Sequence, residues 1–249
     1  MSKESLLRLT RLMQSACRRF GIELQVMPIP KKRPITPVSG EVDQTMLDSS
    51  VNWLRVPMYQ AIASSLRNDV GTDYFRSKVA IEVGGSEGTI ARTLESLGAT
   101  VEIAPNYPAV DVEGLPYRDG SYDVIILDQV FEHLKHPWRA ADEIKRVLRP
   151  DGLSICTSVF VYPLHKFGVY EDYYRFSPEG LRIIFENFKI VSSEGWGSAK
   201  VLRMAYGHSD RGPEGSDPIS KHEAKRLGIY EYGDQMNYIM TWCIAKKTG

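Results

Sequence analysis

Val79-Ala80-Ile81-Glu82-Val83, a mostly apolar run, leads directly into Gly84-Gly85-Ser86-Glu87-Gly88 and then into Thr89 to Leu97, closed by Gly98. The run reads as a buried strand, the small residues as a turn and the last stretch as a helix. Small residues in such a turn let the backbone approach a bound molecule closely, and a helix start presents free N–H groups to it. Twenty residues beyond Glu82 stands Glu102, near the end of a second strand from Thr100 to Ala104. A carboxylate there can accept both hydroxyls of a ribose. The pattern is ExGxSxG rather than GxGxxG, so a pyrophosphate cradle is not expected, whereas a nucleoside-type ligand without phosphate suits the loop.

Working outward, strand-like and helix-like runs alternate. Tyr122 to Leu127 (YDVIIL) is the clearest buried strand, and Pro137 to Leu148 is an amphipathic helix with Ala140, Ala141, Ile144, Val147 and Leu148 on one side. Leu153 to Val159 reads as a strand, Ser177 to Glu186 as a helix opened by Ser-Pro, Phe188 to Val191 as a short strand, and Tyr238 to Ala245 as the final one. Trp53 to Leu66 reads as a helix with Pro57 in its first turn. The alternation specifies an α/β fold, a mostly parallel sheet with helices on both faces and a ligand crevice at the carboxyl ends of the strands.

Residues 79–192 resemble the class I S-adenosylmethionine-dependent methyltransferases of the broad type-11 group. The likeness rests on IEVGGSEG, VEIAP, DVEGLPYRDGSYDVIILDQVFEHL and HPWRAADEIKRVLRPDGL, in that order. A narrower likeness, carried by VFVYPLHKFGVYEDYYRFSPEGLRIIFE, is to a subset associated with cell-surface glycan pathways. The resemblance implies a Rossmann-like class I sheet with an antiparallel C-terminal strand and S-adenosylmethionine as cofactor. It implies Glu82, Gly84, Gly85, Ser86 and Gly88 on the methionine and ribose side and Glu102 at the ribose. Asp111 and Val112 would then lie at the adenine, and Asp128 with Gln129 at the amino-acid end. Ser86 stands where the family has its central glycine. Only eight residues separate Glu102 from Asp111, so the crossover between them should be abbreviated.

Methyl transfer to a hydroxyl needs a base at the crevice mouth. His165, after the fifth strand of the family pattern, is the first choice; the competing role is to hold its loop through a backbone hydrogen bond. Asp172, Tyr173 and Arg175 in EDYYRF suit orientation of a polar acceptor, with Arg175 fitted to a phosphate or carboxylate. An internal Asp172–Arg175 pair pinning the loop is the alternative. The Glu132-His133 pair in FEHL reads by resemblance as structural or close to the cofactor. Tyr59 and Trp53 read as a cover for the cofactor or as core. The expected activity is O-methylation of a sugar, glycan or other small polar acceptor. Alternatives are a non-catalytic scaffold of the same fold, methylation of protein or RNA, and a nicotinamide oxidoreductase, for which the loop spacing is wrong.

The remaining sequence sets bounds. The chain has 249 residues, with 31 basic and 31 acidic side chains, so no general attraction to polyanions is expected and no nucleic-acid partner. Residues 1–40 hold eight basic residues against Glu4 and Glu23, a surplus of six that the rest of the chain cancels. Leu6, Leu9, Met13, Ala16 and Phe20 form an amphipathic stripe suited to docking on the chain's own domain or on a second subunit in a homodimer. A Pro-rich arm runs from Met27 to Ser50. Residues 1–78 are accordingly expected as an extension, 79–249 as the cofactor-binding domain, and 208–235 as a polar insertion. Cys17, Cys156 and Cys243 fit reduced thiols in a cytoplasmic protein, with no metal-ligand spacing and no metal expected. Nothing reaches the length of a membrane span.

Overall fold

The computed structural model describes residues 54–85, 88–166, 168–199, 201–202, 222 and 237–248, all within the unit Thr36–Gly249. The expected helix at Leu6–Phe20, the Pro-rich arm, Trp53, Ser86 and the insertion at 208–235 other than His222 lie outside the described residues.

Helix α1 (Val56–Ser65) starts with Pro57 in its first turn, where the missing N–H costs nothing, and continues through a π-helical turn, Leu66–Gly71, and a 3-10 turn, Thr72–Phe75. There follow β1 (Val79–Glu82), α2 (Thr89–Ser96), β2 (Thr100–Ile103), a 3-10 turn at Val112–Gly114, β3 (Tyr122–Leu127) and a 3-10 turn at Phe131–His133. The chain continues with α3 (Pro137–Val147), β4 (Leu148–Val159), α4 (Pro178–Ile184), β5 (Lys189–Trp196) and β6 (Met240–Lys246). The six strands form one sheet in the order β2-β1-β3-β4-β6-β5. The first four are parallel, and β6 runs antiparallel to both β4 and β5. The mostly parallel sheet with an antiparallel C-terminal strand is therefore present.

Side chains alternate across this sheet, and both faces are buried. Ala80, Val124, Ile126, Ile155, Trp242 and Ile244 face one core with Met58, Ile62, Ile90 and Leu94 of α1 and α2. Ile81, Ile125, Leu127, Cys156 and Cys243 face the other with Ala140, Ile144, Val147 and Leu181 of α3 and α4. Each of the large aliphatic side chains removed from water contributes about 1.5–3 kcal/mol.

Three of the boundaries that differ from the sequence expectation have a clear physical cause. β4 begins five residues early, at Leu148, because a register shift opposite Tyr122–Val124 lets Leu148 pair before the Arg149-Pro150-Asp151-Gly152 turn. Asp151 has φ of 63° there, and a Cβ on Gly152 would stand 3.0 Å from the Asp123 carbonyl oxygen, so close packing rather than apolar pattern sets the turn. β5 runs to Trp196 instead of Val191, since β6 pairs along it and carries the polar residues Ser192 to Glu194 into the sheet. α4 ends at Ile184, before Phe185 turns into the core. The short crossover is as expected: β2 is an edge strand among the described residues, and the chain returns to β3 through the Val112–Gly114 turn.

Candidate active site

The parallel strands end together. Val83 N donates to the Ile126 carbonyl at 2.9 Å and Ala104 N to the Glu82 carbonyl at 2.9 Å, which levels the exits of β1, β2 and β3. Gly84 follows with φ of 75°, in the left-handed region, and a Cβ on it would meet Val130 Cγ2 at 2.9 Å. A Cβ on Gly85 would fall 1.8 Å from Glu82 Oε1. The turn is thus folded onto Glu82, whose side chain is 1% exposed beneath it. Gly88, with φ of 61°, precedes α2 and brings no side chain of its own to cap the first N–H groups of the helix. Gly84 and Gly85, folded over a buried acid at the exit of β1, leave backbone open to close approach by a ligand.

The other residues expected at the cofactor are also placed around this edge, several with partners of their own. Asp128 is buried; Tyr59 Oη donates to its Oδ2 at 2.7 Å and Thr157 Oγ1 to its Oδ1 at 2.5 Å. Gln129, at φ of 59°, donates to Thr157 Oγ1 through both its backbone N and its Nε2, each at 2.9 Å. Glu102, exposed near the end of β2, accepts from Tyr122 Oη at 2.8 Å. Asp111 caps the Val112–Gly114 turn by accepting from Glu113 N at 2.9 Å, and Val112 is buried. Glu113 in turn accepts from His136 N at 2.8 Å, at the start of α3.

Arg146, on the last turn of α3, fixes the expected adenine loop: it donates to the carbonyls of Leu115 and Tyr117 and to Asp119 and Glu143. Those hydrogen bonds hold the Glu143 carboxyl below the usual range and raise the Arg146 guanidinium further.

The loop after β4 is braced from within. Arg175 donates to both oxygens of Asp172 and to the carbonyls of Tyr162, Pro163 and Tyr174. All five N–H donors of the guanidinium are engaged, so the internal pair, not capture of an acceptor phosphate, describes its geometry. The Asp172 side chain is wholly inaccessible. Burial pushes its carboxyl up, but Arg175, the His165 backbone N–H and the neighbouring charges together hold it below the ordinary value. Asp172 Oδ2 also receives the His165 backbone N at 2.8 Å and lies 3.1 Å from His165 Nδ1, which is 3.3 Å from the Pro163 carbonyl. His165 is therefore both anchored through its backbone and held by its ring. Burial draws its imidazole below the usual 6.5, with His133 and Arg175 adding to the effect and Asp172 opposing it.

Glu132 and His133 tie this loop to the sheet. The Glu132 carbonyl accepts from Tyr173 N at 2.8 Å, Ser158 Oγ of β4 donates to Glu132 Oε2 at 2.7 Å, and His133 Nδ1 lies 2.6 Å from the Glu171 carbonyl. The His133 and His165 rings meet edge to face at 4.9 Å. Burial pushes the Glu132 carboxyl up.

Sequence reasoning missed Ser158, Thr157 and Arg146, since nothing local to any of them signals a partner 26 to 29 residues away.

The sheet and its glycine turn define a Rossmann-like α/β domain with its crevice at the carboxyl ends of the strands. Residues 78–156, from the start of β1 into β4, match the family described as methyltransferase domain. An uncharacterized methyltransferase of Mycobacterium sp. strain KMS is 30% identical over 110 residues, 38% of this chain and 43% of that protein. An uncharacterized 37.1 kDa protein in transposon TN4556 of Streptomyces fradiae is 36% identical over 139 residues, 46% of this chain and 40% of that protein. The chain thus spans less than half the length of these curated relatives. Among solved structures, an S-adenosylmethionine dependent methyltransferase from Mesorhizobium loti is similar at a TM-score of 0.47 and 12% identity, over 78% of this chain and 98% of that one. No helix among the described residues is long and apolar enough to cross a membrane.

Proposed function

We propose that the chain is an S-adenosylmethionine-dependent methyltransferase that methylates a hydroxyl of a sugar, glycan or other small polar acceptor. The observation that carries this reading is the Glu82–Gly85 turn, closed on itself at the exit of β1, inside the segment that matches the methyltransferase domain. Glu82, Gly84, Gly85 and Gly88 would hold the methionine side, Glu102 the ribose, Asp111 and Val112 the adenine, and Asp128 with Gln129 the amino-acid end. When bound, the cofactor supplies a methyl group already activated on a sulfonium.

The chain's own part is alignment and proton removal. Holding two reactants in line is worth up to about 7–11 kcal/mol in favourable intramolecular cases, and the braced loop at 160–176 is built for such fixity. His165, its Nδ1 turned to Pro163 and Asp172, presents Nε2 as a lone pair that takes the proton of the acceptor hydroxyl. Asp172 and Arg175 act through His165 as positioning residues.

Calorimetric titration with S-adenosylhomocysteine tests the first half: one site per chain is expected, and no binding at millimolar ligand overturns the reading in favour of a non-catalytic scaffold. His165→Ala should lower turnover by roughly 10²–10⁴-fold with cofactor affinity nearly unchanged. A large loss of cofactor affinity in that variant would instead put His165 in the cofactor site.

A further inference from the structure

Beside the two histidines of the crevice lies a buried carboxylate with one oxygen unmatched among the described residues. Glu132 is fully buried; its Oε2 accepts from Ser158, whereas its Oε1 is buried with no hydrogen-bond partner among the described residues. Such an atom costs about 1–3 kcal/mol, and more when charged. Protonation does not cure it, because the new O–H would need an acceptor in the same place. His133 is the next residue, and His165 reaches it from the loop after β4.

In both rings Nδ1 is already committed, in His133 to the Glu171 carbonyl and in His165 to the Pro163 carbonyl and Asp172. A ring nitrogen facing a carbonyl oxygen carries the proton, so each imidazole is set in the tautomer whose Nε2 is a lone pair. Backbone carbonyls and carboxylates orient metal-binding histidines in this way. One ligand atom from each of Glu132, His133 and His165 lies within 4.8 Å of the others. Ligands about 2.0–2.2 Å from one tetrahedral ion stand about 3.4 Å apart. Closure therefore asks for small side-chain rotations, in one residue on a short turn and one in a loop.

We propose that Glu132, His133 and His165 form a site for a divalent first-row transition ion, with a coordination position left open toward the acceptor. Two imidazoles and one carboxylate favour zinc, cobalt, nickel or iron over magnesium and calcium. The spacing hid this set, since two ligands are adjacent and the third comes from another loop. The assignment of the open position rests on the proposed function. A hydroxyl held there would lose its proton to solvent more readily under the charge of the ion. In the ion-loaded chain His165 serves as a ligand, and its role as proton acceptor belongs to the ion-free chain.

The test is titration of the chelator-stripped full chain with Co²⁺, followed by calorimetry and by visible absorption, with circular dichroism to verify folding. One ion per chain is expected, with ligand-field bands, and Glu132→Gln and His133→Ala should each weaken it about tenfold or more. If Glu132→Gln does not fold, His133→Ala, which alters a partly exposed ring, decides the matter. A wild-type chain that takes up no Co²⁺, or folded variants that bind it as tightly as wild type, would overturn the site. S-adenosylhomocysteine titrated into the same samples separates the two readings. Co²⁺ uptake without nucleoside binding sustains the metal site and removes the methyltransferase reading, and nucleoside binding without Co²⁺ uptake does the reverse.

Discussion

At the residue scale the most constrained position in the crevice is Asp172. Its Oδ1 faces Arg175 Nη1, and its Oδ2 faces Arg175 Nη2, the His165 backbone N–H and the His165 ring. Every neighbour in this set donates, so an asparagine would turn an N–H donor against another donor in either orientation of its amide. Asp172→Asn should cost roughly 1.5–3 kcal/mol, the scale of a hydrogen bond to a charged group, and the loss should be local. Hydrogen exchange across residues 160–176 is expected to accelerate while that of β1 and β3 stays as in wild type. Unchanged protection in the loop would show that the brace is not what holds it. The same variant should lower turnover more than it changes cofactor affinity, because it releases the His165 ring and leaves the Glu82–Gly85 turn alone.

Elements show how far local pattern carries. The strand–turn–helix of β1 and α2 was legible because an apolar run, small residues and a helical stripe fall in order; β3 was legible because it is apolar apart from Asp123 and buried on both faces. The ends of β4 and β5 were not, since a bulge and pairing with β6 determine them, and both depend on residues distant in the sequence. The candidate site divides the same way. Its backbone features, Gly84, Gly85 and Gly88, could be named from the sequence, and the Asp172–Arg175 pair three residues apart was one of two readings there, whereas the partners of Asp128 and Glu132 arise only when strands and loops are brought together. At Gly85 the two levels meet. A methyl group there collides with the buried Glu82 carboxylate, and Gly85→Ala should weaken S-adenosylhomocysteine about tenfold, about 1.4 kcal/mol by calorimetry, without lowering secondary-structure content. Arg146→Ala should expose the Leu115–Asp119 loop, since three of its anchors end on that guanidinium; faster proteolysis within 115–119 is the expected readout.

Across the whole molecule, a two-faced sheet must be closed at the edge opposite the crevice, and Asp123 does this. Its buried carboxylate accepts from Val79 N at 3.0 Å, Lys78 Nζ at 3.0 Å and Arg149 Nη1 at 2.6 Å, joining the entrance of β1 to β3 and to the turn within β4. Burial raises this carboxyl, but the Val79 N–H, the Lys78 hydrogen bond and the two cationic charges outweigh it and leave the group below its usual 3.8. A carboxyl depressed in the folded state binds its proton more readily when unfolded, so its stabilisation is present in full above the unfolded value and is lost as pH falls through the folded one. Asp123→Asn should therefore be less stable than wild type by about 1.5–3 kcal/mol at pH 7, measured by urea unfolding. The gap should narrow as pH drops below about 4, where the wild-type carboxyl gains its proton and loses the same interactions. An equal gap at pH 7 and pH 3 would mean that the amide fails for reasons of shape, and that the charge of Asp123 is not what fastens the three strands.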